Sequence, residues 1–213
     1  MDGVLLDSEP LHHRAINEIL AEEGHGGLPF GEYVAYLGTT VEYTWYGLIE
    51  RYRLEHPFLY YRDRYDRLIL EHYRQASEIS EGVNWLIGEL KARGLRLAVA
   101  SSSRTEWVET CLAALDLRRH FDAIVTGDMV TRSKPDPEIF LTAAALVRTQ
   151  PQDCLAFEDA PKGVAAARAA GMFTVAVATP YTAGQDTSQA HVCLRSLADF
   201  DLSELDRKQY SAS

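Results

Sequence analysis

From residue 11 to 79 the apolar positions keep a helical period. Leu11, Ala15, Ile16, Ile19 and Leu20 fall three and four apart, which is the stripe a helix turns toward a core. Ser8 can cap this segment, Pro10 suits its first turn, and Gly24 to Gly27 ends it. Further helical patterns run over about 31–37, 41–54 and 58–76, with no convincing strand among them. Nine of the eleven tyrosines lie in this half. Helix–helix packing with the hydroxyls at the rim accounts for most of them.

After residue 80 the pattern changes. Short apolar runs appear at 95–101, 121–127, 153–159, 173–179 and 190–194. Helical patterns separate most of them, around 83–93, 104–116, 137–149 and 161–170. Strands alternating with helices predict βαβ units and a parallel sheet covered on both faces. Gly94 and Gly171 each precede a strand, where a left-handed helix end is wanted. The expected architecture is an α/β fold, a Rossmann-like parallel sheet core formed by residues 1–10 and 80–213. An all-helical domain, 11–79, is inserted after the first element.

Composition narrows the partners. The 213 residues are 46% apolar and carry a formal charge of −10. A real core is expected, and neither a nucleic-acid backbone nor an anionic membrane is favoured as a main partner. Cys111, Cys154 and Cys193 are far apart and form no metal-binding pair. They read as reduced core thiols of a cytoplasmic protein. No apolar run reaches the roughly 18 residues of a membrane span, and no secretory signal is visible. A monomer is the plain expectation.

Ligands of open α/β sheets bind beyond the carboxyl ends of the strands. There the run 97–100 is followed by Ser101, Ser102, Ser103 and Arg104. Hydroxyls and free N–H groups at such a turn make an anion cradle, although taken alone a plain Ser-rich helix cap explains them better. The run ending at Phe157 meets the adjacent carboxylates Glu158 and Asp159. Crowded acids suit a hard cation such as Mg²⁺, or else one caps a helix and the other is solvated. Lys134, one of four lysines, sits between Ser133 and Pro135 in a loop entering a helix. It can be aimed at a phosphate or a carboxylate, or simply face solvent.

Four stretches in order, DGVLLDSEP (2–10), LAVASSSR (97–104), SKPDPEIF (133–140) and FEDAPKGVAAARAAGM (157–172), resemble the haloacid dehalogenase superfamily. The resemblance is to the branch of β-phosphoglucomutase and small sugar-phosphate phosphatases with a helical cap. It implies a Mg²⁺-dependent phosphoryl-transfer enzyme that works through an aspartyl-phosphate on a small, sugar-like phosphomonoester. The family's first motif is Asp-x-Asp-Gly, with the first Asp as nucleophile and the second as general acid/base. Asp2 and Gly3 match its second half and Met1 matches the x. The nucleophile is therefore expected one residue ahead of Met1, and the chain as written is expected to be close to inactive.

By the same resemblance Asp2 is acid/base and a metal ligand through its carbonyl. Ser101 binds phosphate with help from Ser102, Ser103 and Arg104, and Lys134 offsets charge on phosphate and nucleophile. Glu158 and Asp159 hold Mg²⁺. In the cap, His12 is a candidate substrate contact, and Gly38 and Thr39 belong to a loop that senses the leaving group. Val41 falls where the mutase carries an arginine, which favours a phosphatase over a mutase. A true dehalogenase lacks the acid/base Asp that is present here. A non-catalytic phosphometabolite-binding protein is the reading if Met1 is the true start.

Overall fold

A computed structural model describes residues 1–182 and 184–206. The chain divides into two compact units, one of Met1–Asp7 with the chain from Ser77 onward, the other of Ser8–Ala76. Ser8, Glu9 and Pro10 go with the helical unit because they open its first helix. No helix among the described residues is long and apolar enough to cross a membrane.

The helical unit contains α1 (Glu9–Glu22), the short α2 (Phe30–Tyr33), α3 (Val41–Tyr52) and α4 (Phe58–Arg74). The α1 stripe behaves as its spacing predicts, with Ala15, Ile16, Ile19 and Leu20 buried. Ser8 takes the cap position but makes no side-chain capping bond. Thr40 does cap, accepting from the Tyr43 amide at 3.1 Å. Of the nine tyrosines here, Tyr36, Tyr43, Tyr46, Tyr52 and Tyr60 are half-buried or exposed, and two depart from the rim. Tyr61 and Tyr73 are fully buried, and their hydroxyls are not at the rim. Tyr61 Oη donates to Glu23 and accepts from the His56 amide, while Tyr73 Oη meets His12 Nε2 at 3.2 Å.

The α/β unit alternates as expected: α5 (Val83–Ala92), β1 (Ala98–Ala100), α6 (Thr105–Ala114), β2 (Ala123–Val125), α7 (Glu138–Leu146), β3 (Leu155–Glu158), α8 (Pro161–Ala169), β4 (Phe173–Val177) and β5 (Val192–Leu194). Gly94 and Gly171, at φ +73° and +81°, end α5 and α8 in the left-handed conformation that lets the chain turn into the next strand. Every pairing is parallel, with Ala98 opposite Ala123, Leu155 opposite Phe173 and Val175 opposite Val192.

The strands form two groups, β1–β2 and β3–β4–β5. A cavity of about 700 Å³ lies between them, lined by Leu97–Ala100 on one side and Cys154–Phe157 on the other. Met1, Val4 and residues of α5 and α7 complete its wall. Among the described residues the core holds one of the three expected core thiols in full. Cys111 is buried, Cys154 half-buried and Cys193 exposed, because β5 is an edge strand whose Cys193 side chain faces outward. Burial pushes the Cys111 thiol up to about 12, which favours its protonated form.

Candidate active site

The site candidates of the α/β unit gather at the carboxyl ends of β1 and β3. Ser101 directly follows β1, and its amide continues the ladder to Val125 O at 3.0 Å. The chain then turns, with the Ser103 amide donating to Ser101 Oγ at 3.1 Å. Both hydroxyls aim at one atom. Ser103 Oγ donates to Asp2 Oδ2 at 2.9 Å and Ser101 Oγ at 3.3 Å, so this turn already receives an anionic oxygen. Ser102 and Arg104 are exposed. Arg104 takes the cap position of α6 with no side-chain capping bond. The cap comes from elsewhere, since Asp128 Oδ2 accepts from the Thr105 amide at 2.7 Å. Thr126 and Asp128, in the turn after β2, therefore support the serine loop, with Thr105 and Thr126 hydroxyls 2.6 Å apart.

Lys134 is not a solvent-facing loop residue. Its ammonium donates to Ala100 O at 3.1 Å and to the Glu158 carboxylate, and it lies 4.9 Å from the Phe140 ring centre. The Lys134 and Glu158 side chains are 13% and 9% exposed. At that depth a lone charge would be costly, and each is the other's neutralising partner. The loop is fixed by Glu138, the first residue of α7. Its carboxylate accepts from the amides of Thr131 and Arg132, both at 2.9 Å, and from the Thr131 hydroxyl. These bonds hold Glu138 down to about 2.

Asp159 follows Glu158 and is pushed up to about 7, chiefly by burial, with the charges of Glu158 and Asp2 adding repulsion. Two glycines make room for this acidic pair. A Cβ on Gly3, which has φ +67°, would stand 2.1 Å from Asp159 Oδ2, and one on Gly163 2.0 Å from Glu158 Oε2. The Asp-Gly pair at residues 2 and 3 thus has a local reason: the glycine lets the turn pass beneath the Asp159 carboxylate. Among the described residues no group of three or more His, Cys, Asp and Glu side chains stands ready around one metal-sized point. The donor set is nonetheless all oxygen, and its negative charge exceeds what Lys134 offsets. That chemistry fits a hard divalent cation completed by water and substrate oxygens.

The helical unit holds His12, Gly38 and Thr39. His12 is committed within that unit, with Nδ1 2.7 Å from Tyr65 Oη and Nε2 facing Tyr73 Oη. Thr39 is exposed, and its hydroxyl donates to Tyr36 O at 2.7 Å. Gly38 is exposed at φ +70°. Sequence reasoning missed Thr126, Asp128, Gly163 and Glu138, which act on residues distant in the chain or through space alone. Glu138 alone had a local signal, as an acid opening a helix just after the loop lysine.

Among known proteins the chain is similar to phosphatases of sugar phosphates. Fructose-1-phosphate phosphatase from Escherichia coli is 35% identical over 83% of this chain and 93% of its own. Hexitol phosphatase B, also from Escherichia coli, is 31% identical over 84% and 82%. A structure of a variant of CbbY from Rhodobacter sphaeroides, in complex with xylulose-1,5-bisphosphate, superimposes with a TM-score of 0.83 at 28% identity, covering 96% of each chain. The family model of haloacid dehalogenase-like hydrolases matches residues 1–177, and the chain belongs to that family.

Proposed function

We propose that this haloacid dehalogenase-type phosphatase hydrolyses a small sugar-like phosphomonoester in a Mg²⁺-dependent reaction through an aspartyl-phosphate. The observation that carries the reading is the convergence of the Ser101 and Ser103 hydroxyls on the Asp2 carboxylate, beside the Lys134–Glu158 pair. The serine hydroxyls bind phosphate oxygens and orient the group for in-line displacement. Asp2, within reach of the same cradle, gives a proton to the leaving oxygen and later takes one from water. Lys134 offsets charge on the transferring group. Asp159, Glu158 and the Asp2 carbonyl would hold Mg²⁺, which supplies electrostatic stabilisation of that group. Ser102 and Arg104 edge the phosphate site, and the helical unit, with His12, Gly38 and Thr39, selects the leaving group.

An aspartyl-phosphate needs an attacking carboxylate, the first Asp of the Asp-x-Asp-Gly pattern whose second half Asp2 and Gly3 match. The named substrates of the relatives, fructose-1-phosphate among them, support the sugar-phosphate class. The test compares two polypeptides for phosphate release from pentose, hexose and hexitol phosphates: the 213 residues as given, and the same chain with an apolar strand ending in Asp ahead of Met1. The extended form is expected to turn over with Mg²⁺ and stop in EDTA or as D2N, while the shorter form stays at background. Full turnover by the shorter form would move the nucleophile elsewhere. Tight phosphosugar binding without release by the extended form would favour a binding protein.

A further inference from the structure

Thr126, Gly127 and Asp128 follow β2 in a short turn, closed by the Met129 amide on Thr126 O at 3.0 Å. Each of the three meets the segment from Ser101 to Thr105. The Thr126 hydroxyl is fully buried and stands 2.6 Å from the Thr105 hydroxyl. The Gly127 amide donates to Ser103 O at 3.0 Å. Asp128 Oδ2 accepts at 2.7 Å from the amide of Thr105, the first residue of α6. The opening N–H groups of a helix have no helical partner, and Arg104 at the cap position supplies no side-chain bond. The cap is therefore borrowed from a residue 23 positions along the chain.

Gly127 adds a steric constraint. A Cβ there would stand 2.3 Å from Ser102 O, and a backbone atom has no rotamer by which to yield. Gly127 is not one of the glycines held at positive φ, so close approach requires it and not a turn dihedral. These contacts converge on Ser103. Its amide donates to Ser101 Oγ, its carbonyl accepts from Gly127, and its hydroxyl donates to Asp2 Oδ2. With N–H and C=O both tied, the place from which Ser103 Oγ projects depends on how closely Gly127 lies against the turn. Ser101 is placed by β2 itself, through its amide on Val125 O at 3.0 Å. The two hydroxyls that meet on one anionic oxygen are thus both spaced by β2 and the turn that follows it.

We propose that Gly127 and Asp128 are positioning residues for phosphate binding: they hold the Ser101 and Ser103 hydroxyls at the spacing that lets both reach one anionic oxygen. The inference rests on the reading of Ser101 and Ser103 as phosphate ligands, and adds that their affinity is set from outside their own loop. A turn formed only part of the time binds in proportion to the fraction formed. Weakened support therefore shows as weaker binding by a protein that is still folded. Asp128 is needed as an acceptor and not as a negative charge, which separates its role from an electrostatic effect on the anion.

The probe is inorganic phosphate, titrated into the full chain by calorimetry well below the unfolding midpoint of every variant. Asp128→Ala removes the acceptor and is expected to weaken phosphate binding about fivefold, the scale of a lost helix cap. Asp128→Asn keeps an oxygen for the Thr105 amide and should bind within about twofold of the unmodified chain, since Asn and Asp cap comparably. Gly127→Ala must displace Ser102 and should weaken binding more than Asp128→Ala does. If Gly127→Ala fails to fold, the two Asp128 variants still decide. Unchanged phosphate affinity in Asp128→Ala, with only its midpoint lowered, would overturn the proposal and leave the turn a structural support. So would Asp128→Asn binding as weakly as Asp128→Ala, or tighter binding by both, because either would mean that Asp128 acts through its charge. No phosphate binding by the unmodified chain would instead remove the phosphate reading of Ser101 and Ser103, and this inference with it.

Discussion

The helical and α/β units solve the packing problem with different materials. Trp45, Tyr61 and Tyr73 are among the largest fully buried side chains of the helical unit. Trp45 and Tyr61 stack with centroids 5.4 Å apart. In one hydrophobic cluster of the α/β unit, six of the ten buried residues are alanines, Ala143, Ala144, Ala156, Ala166, Ala167 and Ala170. Small side chains let α7 and α8 lie close to the sheet. Glu158 ends β3 and Asp159 follows it directly. The contrast is between a unit held by ring packing and one that gathers the buried polar groups Ser101, Thr126 and Glu158 at or just beyond strand ends.

The largest expected effect breaks the aromatic side of that contrast. Trp45→Ala removes a fully buried ring from between α3 and α4 and should cost about 3–5 kcal/mol, read by denaturant unfolding. Trp45→Phe should cost much less than that, because the indole Nε1 is buried with no hydrogen-bond partner and its loss strands nothing. If the two variants are equally damaging, ring volume is not what holds the helical unit.

Next comes the charged side. Lys134→Met leaves Glu158 buried without its cation and should cost about 3 kcal/mol. The double variant Lys134→Met/Glu158→Gln should recover part of it, since a neutral amide carries no unpaired charge. Additive losses in the double variant would show that the pair is not coupled. Gly3→Ala is smaller in stability, about 1–2 kcal/mol for a left-handed alanine. Because its Cβ must displace the Asp159 carboxylate, Mg²⁺ affinity measured by calorimetry should fall further than stability does. Unchanged affinity would place Asp159 outside the metal site.

These sites also show which relations a linear reading can reach. The alternation after residue 80 predicted the strands and α-helices described there, because period and turn residues are local properties. Ser101, Lys134 and Glu158 stood out because strand ends are where an α/β sheet exposes its chemistry. Less visible were supports that act across space. Asp128 caps a helix that begins more than twenty residues earlier in the chain, and Gly163 matters only because Glu158 lies over it. The two inward hydroxyls, of Tyr61 and Tyr73, could not be told from the rest for a related reason. A rim and an interior position have the same helical spacing, and only the acceptors on neighbouring segments, such as Glu23 and His12, distinguish them. The division of the strands into two groups could not be seen either, since pairing order is not a property of any one run.

The smallest effect concerns how the α/β unit aims its lysine. Glu138 accepts from Thr131 and Arg132, and its carboxyl is lowered from 4.5 to about 2. A depressed folded value means that the ionised form carries the interaction. Its contribution is complete above pH 4.5 and is lost as pH falls toward 2. Hydrogen exchange of the Thr131 and Arg132 amides, corrected for its intrinsic pH dependence, should therefore quicken across that window. In Glu138→Gln it should be quick at every pH, while the amides of α4 in the helical unit are unaffected by the substitution. A local effect of this kind would mark Glu138 as the clamp of the loop that presents Lys134. If Glu138→Gln keeps the same pH response, the loop is held by the Arg132–Asp136 ion pair at 3.1 Å instead, and the lysine is aimed by charge pairing at the surface.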